Sequence, residues 1–252
     1  KLINDMRSAM LNQEFSLHYQ PIVDRLTKRV VGAEALLRWQ HPQKGYIPLH
    51  DFIPVAEESG LIREIGNWVI KEVADNIQRW TALGLPSLHI SLNQSIAQYS
   101  LSECHTEWLD ILKNKQIATN SITFEISENI FFEQKDKHLK SIEKLKRGGI
   151  QISLDGFGTG YSSLNYLKKY PIDVLKIDRS YIHTMLDDPA NAILVETIII
   201  LANKLGIKVI ATGVESEKQL ALLSHQCRYV QGYYFSKPLP FNAFKRYMQT
   251  QK

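Results

Sequence analysis

Short apolar runs alternate with longer amphipathic stretches along the whole chain. The short runs are rich in β-branched residues, which predicts strands that are buried on both faces. These predicted strands are Phe15–Gln20, Val30–Leu37, Leu88–Leu92, Ile122–Ile126, Ile150–Leu154, Val174–Ile177, Lys208–Ala211 and Tyr229–Gln231. Between them, apolar residues recur at helical spacing. The predicted helices are Leu61–Trp80, Lys137–Lys146, Asn191–Lys204, Glu217–Ser224 and Phe241–Met248.

The connections between these elements favour one fold. Gly84, Gly149 and Gly206 follow predicted helices, where a left-handed cap is wanted. The segment between the first two strands is too short for a crossover helix, so those strands are predicted to pair antiparallel. Eight strands that alternate with helices in 252 residues predict an α/β fold, a TIM-like (β/α)8 barrel with one antiparallel strand. A doubly wound open sheet is the alternative.

Composition narrows the class of protein. The chain is 44% hydrophobic and 22% charged, as in soluble globular proteins, and no linker divides residues 1–252, so we predict one domain. The first residue is lysine, and we interpret the chain as a piece of a longer protein. The net charge of +4 is scattered, which argues against nucleic acid as a partner, and no apolar run reaches the length of a membrane span.

The two cysteines, Cys104 and Cys227, have neither metal-type nor paired spacing. Free thiols in a reducing compartment are the favoured interpretation, with a disulfide as the alternative. We therefore expect this domain in the cytoplasm, in a protein that is itself free-standing or anchored to a membrane elsewhere.

Polar residues stand at the ends of several predicted strands, where a buried strand should avoid them. They are Gln20, Glu34, Asn93, Glu125, Asp155 and Lys176. A charge there is costly unless it is paired or bound to a metal, but the carboxyl ends of barrel strands converge on one mouth. Three carboxylates and an amide that meet there predict a site for Mg²⁺, Mn²⁺ or Ca²⁺. Arg38, just beyond Glu34, has the planar fork that clamps a phosphate.

Each of these residues also has an ordinary structural interpretation. A single glutamate on a strand is usually exposed at an edge, Asn93 is a suitable helix cap, and Lys176 has Asp173 and Asp178 as candidate ion-pair partners. Their occurrence at the same end of successive strands favours the functional interpretation. The stretch from Asp155 to Tyr161 fails the spacing of a dinucleotide-binding loop.

The chain resembles the EAL domain family. Glu34-Ala35-Leu36 carries the resemblance, and further blocks follow in order over nearly the whole chain. They are Tyr19-Gln20-Pro21, Pro54–Glu57, Ser91-Leu92-Asn93, Glu125-Ile126-Ser127-Glu128, Gly158–Leu164, Lys176-Ile177-Asp178 and Gln231-Gly232-Tyr233. The resemblance implies a metal-dependent phosphodiesterase that linearises cyclic di-GMP to pGpG by two-metal hydrolysis on a barrel with one reversed strand.

The resemblance also implies roles for individual residues. The first metal would be held by Glu34, Asn93, Glu125 and Asp155, with Glu128 supporting these ligands and Lys176 touching the attacking water. Gln20 and Arg38 would hold the phosphate with Gln231 nearby, and Leu36 and Phe235 would line the guanine pockets. A GGDEF or sensor domain in the same protein is expected, and so is a homodimer, since the loop after Asp155 is a dimer contact in such relatives.

Two positions depart from the family pattern. Gly156 and Thr212 stand where active members carry carboxylates that serve the second metal or its water. Two dications close together are then poorly compensated, which predicts a loss of at least about 10³-fold in rate, roughly 4 kcal/mol of barrier.

Three functions remain open on the sequence. The favoured one is a cyclic di-GMP receptor with one Mg²⁺ or Mn²⁺ site and little or no hydrolysis. The alternatives are a working phosphodiesterase and a protein-interaction module without nucleotide binding.

Overall fold

The structure is a computed structural model that describes residues 1–99, 104–129, 135–158, 164–223 and 226–250. Its strands form one sheet in the order β10-β1-β9-β8-β7-β6-β5-β4-β2-β3, and β1 also pairs with β2. The strands are β1 Phe15–Asp24, β2 Val30–His41, β3 Gly45–Ile47, β4 His89–Asn93, β5 Ile122–Ser127, β6 Gln151–Phe157, β7 Val174–Ile177, β8 Lys208–Thr212, β9 Tyr229–Gln231 and β10 Leu239–Pro240.

The pairing of β1 with β2 closes eight of these strands into a barrel. Neighbours from β2 through β4 to β9 run parallel, whereas β1 runs antiparallel to both β2 and β9. The predicted (β/α)8 barrel with one reversed strand is therefore confirmed. The two short strands β3 and β10 pair outside the closed ring and were not predicted.

Helices surround the barrel. They are α1 Leu2–Leu11, α2 Leu49–Glu58, α3 Ile62–Ala82, α4 Ile96–Tyr99, α5 Cys104–Asn114, α6 Lys135–Arg147, α7 Leu164–Lys169, α8 Arg179–Thr184, α9 Pro189–Lys204, α10 Glu217–Leu222 and α11 Phe241–Gln249, with a 3₁₀ turn at Thr119–Ser121. All five predicted helices are present, with Ser224 of the predicted Glu217–Ser224 lying outside the described residues. Gly84, Gly149 and Gly206 have the positive φ angles expected of left-handed caps.

The strands supply much of the apolar core of the barrel. Ile90, Leu92, Phe124, Ile152 and Leu175 are fully buried between the sheet and the helices. Removing this apolar surface from water stabilises the barrel and leaves its mouth as the place where buried charges can meet. Neither cysteine is in a disulfide. None of the helices in the described ranges combines the length and the apolar character that crossing a bilayer requires.

Candidate functional site

Four neighbouring strands bring the predicted metal ligands to the mouth of the barrel. Glu34 lies on β2, Asn93 on β4, Glu125 on β5 and Asp155 on β6, and these strands are successive neighbours in the sheet. Asn93 stands opposite Glu125 in the register of β4 and β5. The parallel strands thus place these side chains at one rim, as the strand-end pattern predicts.

Lys176 on β7 lies at the centre of this group. Its Nζ donates to Glu34 Oε2 and to Glu125 Oε2, each at 2.7 Å, and lies 4.0 Å from Asp155 Oδ1. Glu34 accepts two more hydrogen bonds at 2.7 Å, one on Oε1 from Asn93 Nδ2 and one on Oε2 from Gln231 Nε2. The site is a connected network around one ammonium group.

Burial shapes the charge of this network. The removal from water, reinforced by the charge of Glu34, raises the pKa of Glu125 to about 8. Burial also opposes ionisation of Glu34, but the neighbouring Lys176 outweighs it and lowers the pKa of Glu34. Burial raises the pKa of Asp155 as well. Lys176 is itself 2% exposed, and Glu125 and Glu34 outweigh its own burial to raise its pKa. The ammonium and at least one carboxylate are therefore charged at neutral pH.

The carboxylates of Glu34, Glu125 and Asp155 surround a cation that comes from a side chain, the ammonium group of Lys176. Within the described ranges, no three carboxylate, imidazole or thiolate groups are drawn together tightly enough to hold a metal ion as they stand. Glu125 Oε1 is buried without a hydrogen-bond partner among these residues, which leaves a lone pair of the kind that a cation satisfies. The donor set of carboxylate and amide oxygens has the chemistry that Mg²⁺ or Mn²⁺ prefers.

Two clefts open at the mouth. One, of about 360 Å³, has polar walls and reaches Glu34, Asp155, Lys176 and Gln231. The other, of about 670 Å³, is more apolar and lies between α2, α3 and the start of α4. Leu36 lines both of them. The pair offers a charged compartment beside one that suits a planar apolar group.

The other predicted ligand-binding residues lie in different surroundings. Gln20 accepts from Gln231 at 3.2 Å and lines the charged cleft. Arg38 donates from Nη1 to the carbonyl oxygen of Leu37 and lines neither cleft. Phe235 is half-buried and packs edge-on against Tyr234 at 5.1 Å. Glu128 is buried just beyond β5.

The two positions at which we expect a departure from the family pattern lie directly after Asp155 and in the charged cleft. Gly156 lies in β6 where the register with β7 slips, and its φ angle is +69°. Thr212, at the end of β8, lines the charged cleft and donates its hydroxyl hydrogen to the carbonyl oxygen of Ile177 at 2.7 Å. Neither position presents a carboxylate to the mouth.

The ordinary structural interpretations of Lys176 and Asn93 are wrong. Asp173 bonds Lys146, and Asp178 caps α8, so neither of these pairs with Lys176. Asn93 donates to Glu34, while the hydroxyl oxygen of Ser95 accepts from the first turn of α4. Part of the motif after Asp155, residues 159–163, lies outside the described residues.

Several residues of the charged cleft were not predicted. Asp178 and Arg179 follow β7 directly, so the strand-end pattern carried a signal for them. His183 and Glu215 also line the cleft, and His183 Nε2 lies 3.5 Å from Glu215 Oε1. Those two come from a helix and a loop, where no such pattern applies.

Comparison with known proteins gives consistent matches over the chain. The EAL domain family pattern matches residues 3–238. The bifunctional diguanylate cyclase/cyclic di-GMP phosphodiesterase MucR of Pseudomonas aeruginosa is 37% identical over 245 residues, which cover 95% of this chain and 35% of that protein. The cyclic di-GMP phosphodiesterase PdeR of Escherichia coli is 37% identical over 249 residues, covering 98% and 37%. The chain thus spans about a third of the length of these relatives.

The fold agrees with a solved structure. A complex described as the PaMucR phosphodiesterase with c-di-GMP superposes with a TM-score of 0.90 at 36% identity, covering 96% of this chain and 99% of that one.

Proposed function

Because the chain belongs to the EAL domain family, we propose that it binds cyclic di-GMP at its barrel mouth and hydrolyses it weakly or not at all. The observation that best supports this proposal is a contrast between two parts of the site. The network of Glu34, Asn93, Glu125 and Lys176 is complete, whereas Gly156 and Thr212 offer no carboxylate. The chain is then a receptor for the nucleotide, with a shape change as its output.

Glu34, Asn93, Glu125 and Asp155 would hold one Mg²⁺ or Mn²⁺. A bound divalent ion supplies charge stabilisation for a phosphate oxygen and lowers the pKa of a bound water. The unpaired Oε1 of Glu125 and the carboxylates clustered around Lys176 support this assignment. Glu128 would support these ligands from beside them, and Lys176 would contact the attacking water.

The residues present offer too few ligands for a second metal ion. Gly156 lacks a side chain, and the Thr212 hydroxyl is engaged with the main chain of β7. Two dications about 4 Å apart repel each other strongly unless carboxylates compensate them. The loss of two such groups should lower the hydrolysis rate at least about 10³-fold below that of a complete site.

The two clefts divide the nucleotide between them. Gln20 and Gln231 stand beside the charged cleft, where a phosphate belongs, and Leu36 borders the apolar cleft that suits a guanine. Arg38 and Phe235 complete the set by analogy with the family. The MucR structure, described as a c-di-GMP complex, supports this ligand for a barrel of the same shape.

A working phosphodiesterase is the second candidate. Its support is that every proposed ligand of the first metal is present at the mouth, and that relatives such as PdeR are named phosphodiesterases. A pure interaction module is disfavoured, because the buried Glu34, Glu125 and Lys176 form a charged cluster that is costly to keep without a ligand.

Binding and turnover measured on one sample test the proposal. Titration calorimetry with cyclic di-GMP in Mg²⁺ or Mn²⁺ should give binding heat, and the recovered nucleotide should contain little pGpG. Arg38→Ala should weaken binding at least about tenfold, because it removes a charged phosphate contact. The exposed Arg7 provides a matched control, and Arg7→Ala should change nothing.

Two results contradict the receptor assignment. Rapid accumulation of pGpG makes the chain an active phosphodiesterase. The absence of binding heat at nucleotide concentrations well above micromolar excludes both nucleotide functions.

We also propose that the chain acts in the cytoplasm as one domain of a longer signalling protein with a GGDEF or sensor domain, and that it forms a homodimer.

A further inference from the structure

The end of the barrel opposite the mouth carries an unusual charge. The loops that precede the strands form this end, which we call the basal face. They comprise residues 24–29, 83–88, 115–121, 147–150, 170–173, 204–208 and 226–228. Eight bases against two acids give the basal face a formal charge of +6, while the whole chain carries +4. The rest of the molecule is therefore net acidic, and the fold gathers at this end basic residues that are scattered along the sequence.

Both acidic residues of the basal face are already neutralised. Asp24 is 1% exposed and accepts from Arg228 Nε at 2.7 Å, and Asp173 bonds Lys146. Four exposed cations of the basal face form no ion pair with any carboxylate of the described residues. These cations are Lys28, Arg29, Lys204 and Lys208.

Three leucines project from separate loops of the same face. Leu26 at the tip of the β1–β2 hairpin is 66% exposed, Leu83 before β4 is 50% exposed, and Leu205 before β8 is 39% exposed. The hairpin tip is held in place, since Asp24 Oδ1 accepts from the backbone N–H of Leu26 and of Thr27. Exposed apolar side chains beside basic ones are the combination that binds at the surface of an anionic membrane.

The loops that carry these leucines and cations are neighbours around the basal face. The strand order β8-β9-β1, followed by the pairing of β1 with β2 and of β2 with β4, makes them one arc. The hairpin is tied to the loop before β9, because Arg25 N donates to the carbonyl oxygen of Arg228 at 2.9 Å. The leucines and cations therefore lie along the same arc of the basal face.

We propose that the basal face docks on an anionic lipid surface. The cations would lie on lipid phosphates while the leucines enter the level of the headgroups. Separate leucines on different loops suit a fluid lipid layer, whereas a protein partner usually needs a pocket or a packed central cluster. Both mouth clefts lie at the opposite end of the barrel. A docked domain therefore turns its nucleotide site toward the aqueous phase.

Vesicle co-sedimentation tests this proposal on the purified chain. We expect binding to vesicles that contain phosphatidylglycerol, no binding to pure phosphatidylcholine, and loss of binding at high salt. The double variant Lys28→Glu with Arg29→Glu should weaken binding at least about 25-fold, since each basic residue near an anionic membrane contributes about fivefold. Leu26→Ser should weaken it several-fold without altering the salt dependence.

A matched control separates this face from net charge alone. Lys71→Glu with Lys218→Glu makes the same change of charge at exposed positions on α3 and α10. It should bind vesicles nearly as well as the wild type, and circular dichroism should show both doubles folded. Equal losses in the two doubles, or no binding of the wild type to acidic vesicles, would overturn the proposal. Binding to poly-glutamate but not to vesicles would assign an acidic protein instead.

Discussion

Lys176 is the residue on which the electrostatics of the mouth depend. Its ammonium contacts Glu34 and Glu125 at 2.7 Å in a region almost closed to water. A buried charge that loses its partner is strongly destabilising, because neither water nor an opposite charge replaces the lost interaction. The lysine and a divalent ion thus compensate the same carboxylates and compete for them.

This competition gives a prediction about stability. In the presence of a chelator, Lys176→Met should lower the free energy of unfolding by about 3 kcal/mol. Mn²⁺ should then stabilise the variant more than the wild type, because the ion meets carboxylates that no ammonium compensates. Thermal unfolding with and without Mn²⁺ measures both effects. Lys71→Met, at an exposed position, is the control. An unchanged midpoint for Lys176→Met in chelator would show that the ammonium does not carry this role.

Gly156 and Thr212 give a second prediction, for catalysis. Gly156→Asp together with Thr212→Glu should raise hydrolysis of cyclic di-GMP far more than either change alone, by up to about 10³-fold. Aspartate tolerates the left-handed backbone at φ +69° better than most residues, at a cost of about 1 kcal/mol. Release of pGpG measured in Mg²⁺ and Mn²⁺ reports the change.

The control for this restoration keeps shape and removes charge. Gly156→Asn with Thr212→Gln places side chains of nearly the same size at the two positions, so it should leave hydrolysis near the wild-type level. If both doubles stay equally slow, the absent carboxylates are not what limits the chemistry of this site.

At the scale of elements, strands were easier to predict than helices. Each of the eight barrel strands lies at its predicted place because strands buried on both faces appear as continuous apolar runs. The short helices α4, α7 and α8 were not predicted, since four to six residues seldom display a helical stripe. The longer helices α1, α2 and α5 were also missed.

α5 carries a buried histidine that predicts a pH dependence. His105 is 1% exposed between the rings of Tyr99 and Trp108, and burial followed by the charge of Lys144 lowers its pKa to about 4. The unfolded chain takes up this proton near pH 6.5 and the folded chain only near pH 4. Stability is therefore lost as the pH falls from about 6.5 to 4, by up to about 3 kcal/mol from this group.

Replacement of the histidine tests that sign. His105→Phe should remove this part of the acid sensitivity, so that its stability relative to the wild type rises as the pH falls through this window. Urea unfolding at several pH values measures the difference. His50→Phe, whose side chain is 83% exposed, should run parallel to the wild type. Parallel behaviour of His105→Phe would contradict the prediction.

At the scale of the whole molecule, closure of the barrel explains what the sequence could reveal of the site. Glu34, Asn93 and Glu125 were predictable together because parallel strands deliver their carboxyl ends to one rim. The central position of Lys176 was not predictable, since it depends on side chains that meet across the ring. The bond from Thr212 to Ile177 likewise depends on how β8 lies beside β7.

The expected homodimer gives the last prediction. The family resemblance implies a contact at the loop after Asp155, but residues 159–163 lie outside the described residues, so the candidate surface among the described residues is the one around α9 and α10. Leu186, Ile193, Leu194 and Leu222 are each at least 39% exposed, and two of them border a small cavity of about 150 Å³ between α9 and α10. An apolar patch of this kind favours burial against a second copy, because water is excluded from both surfaces at once. Sedimentation should therefore show a dimer that Ile193→Asp with Leu194→Asp converts to monomers, since a carboxylate in an apolar interface is costly. Leu11→Asp, at an 84% exposed position on α1, should remain dimeric. A wild type that stays monomeric at high concentration would exclude the dimer, and a dimer that survives the double change would place its interface elsewhere.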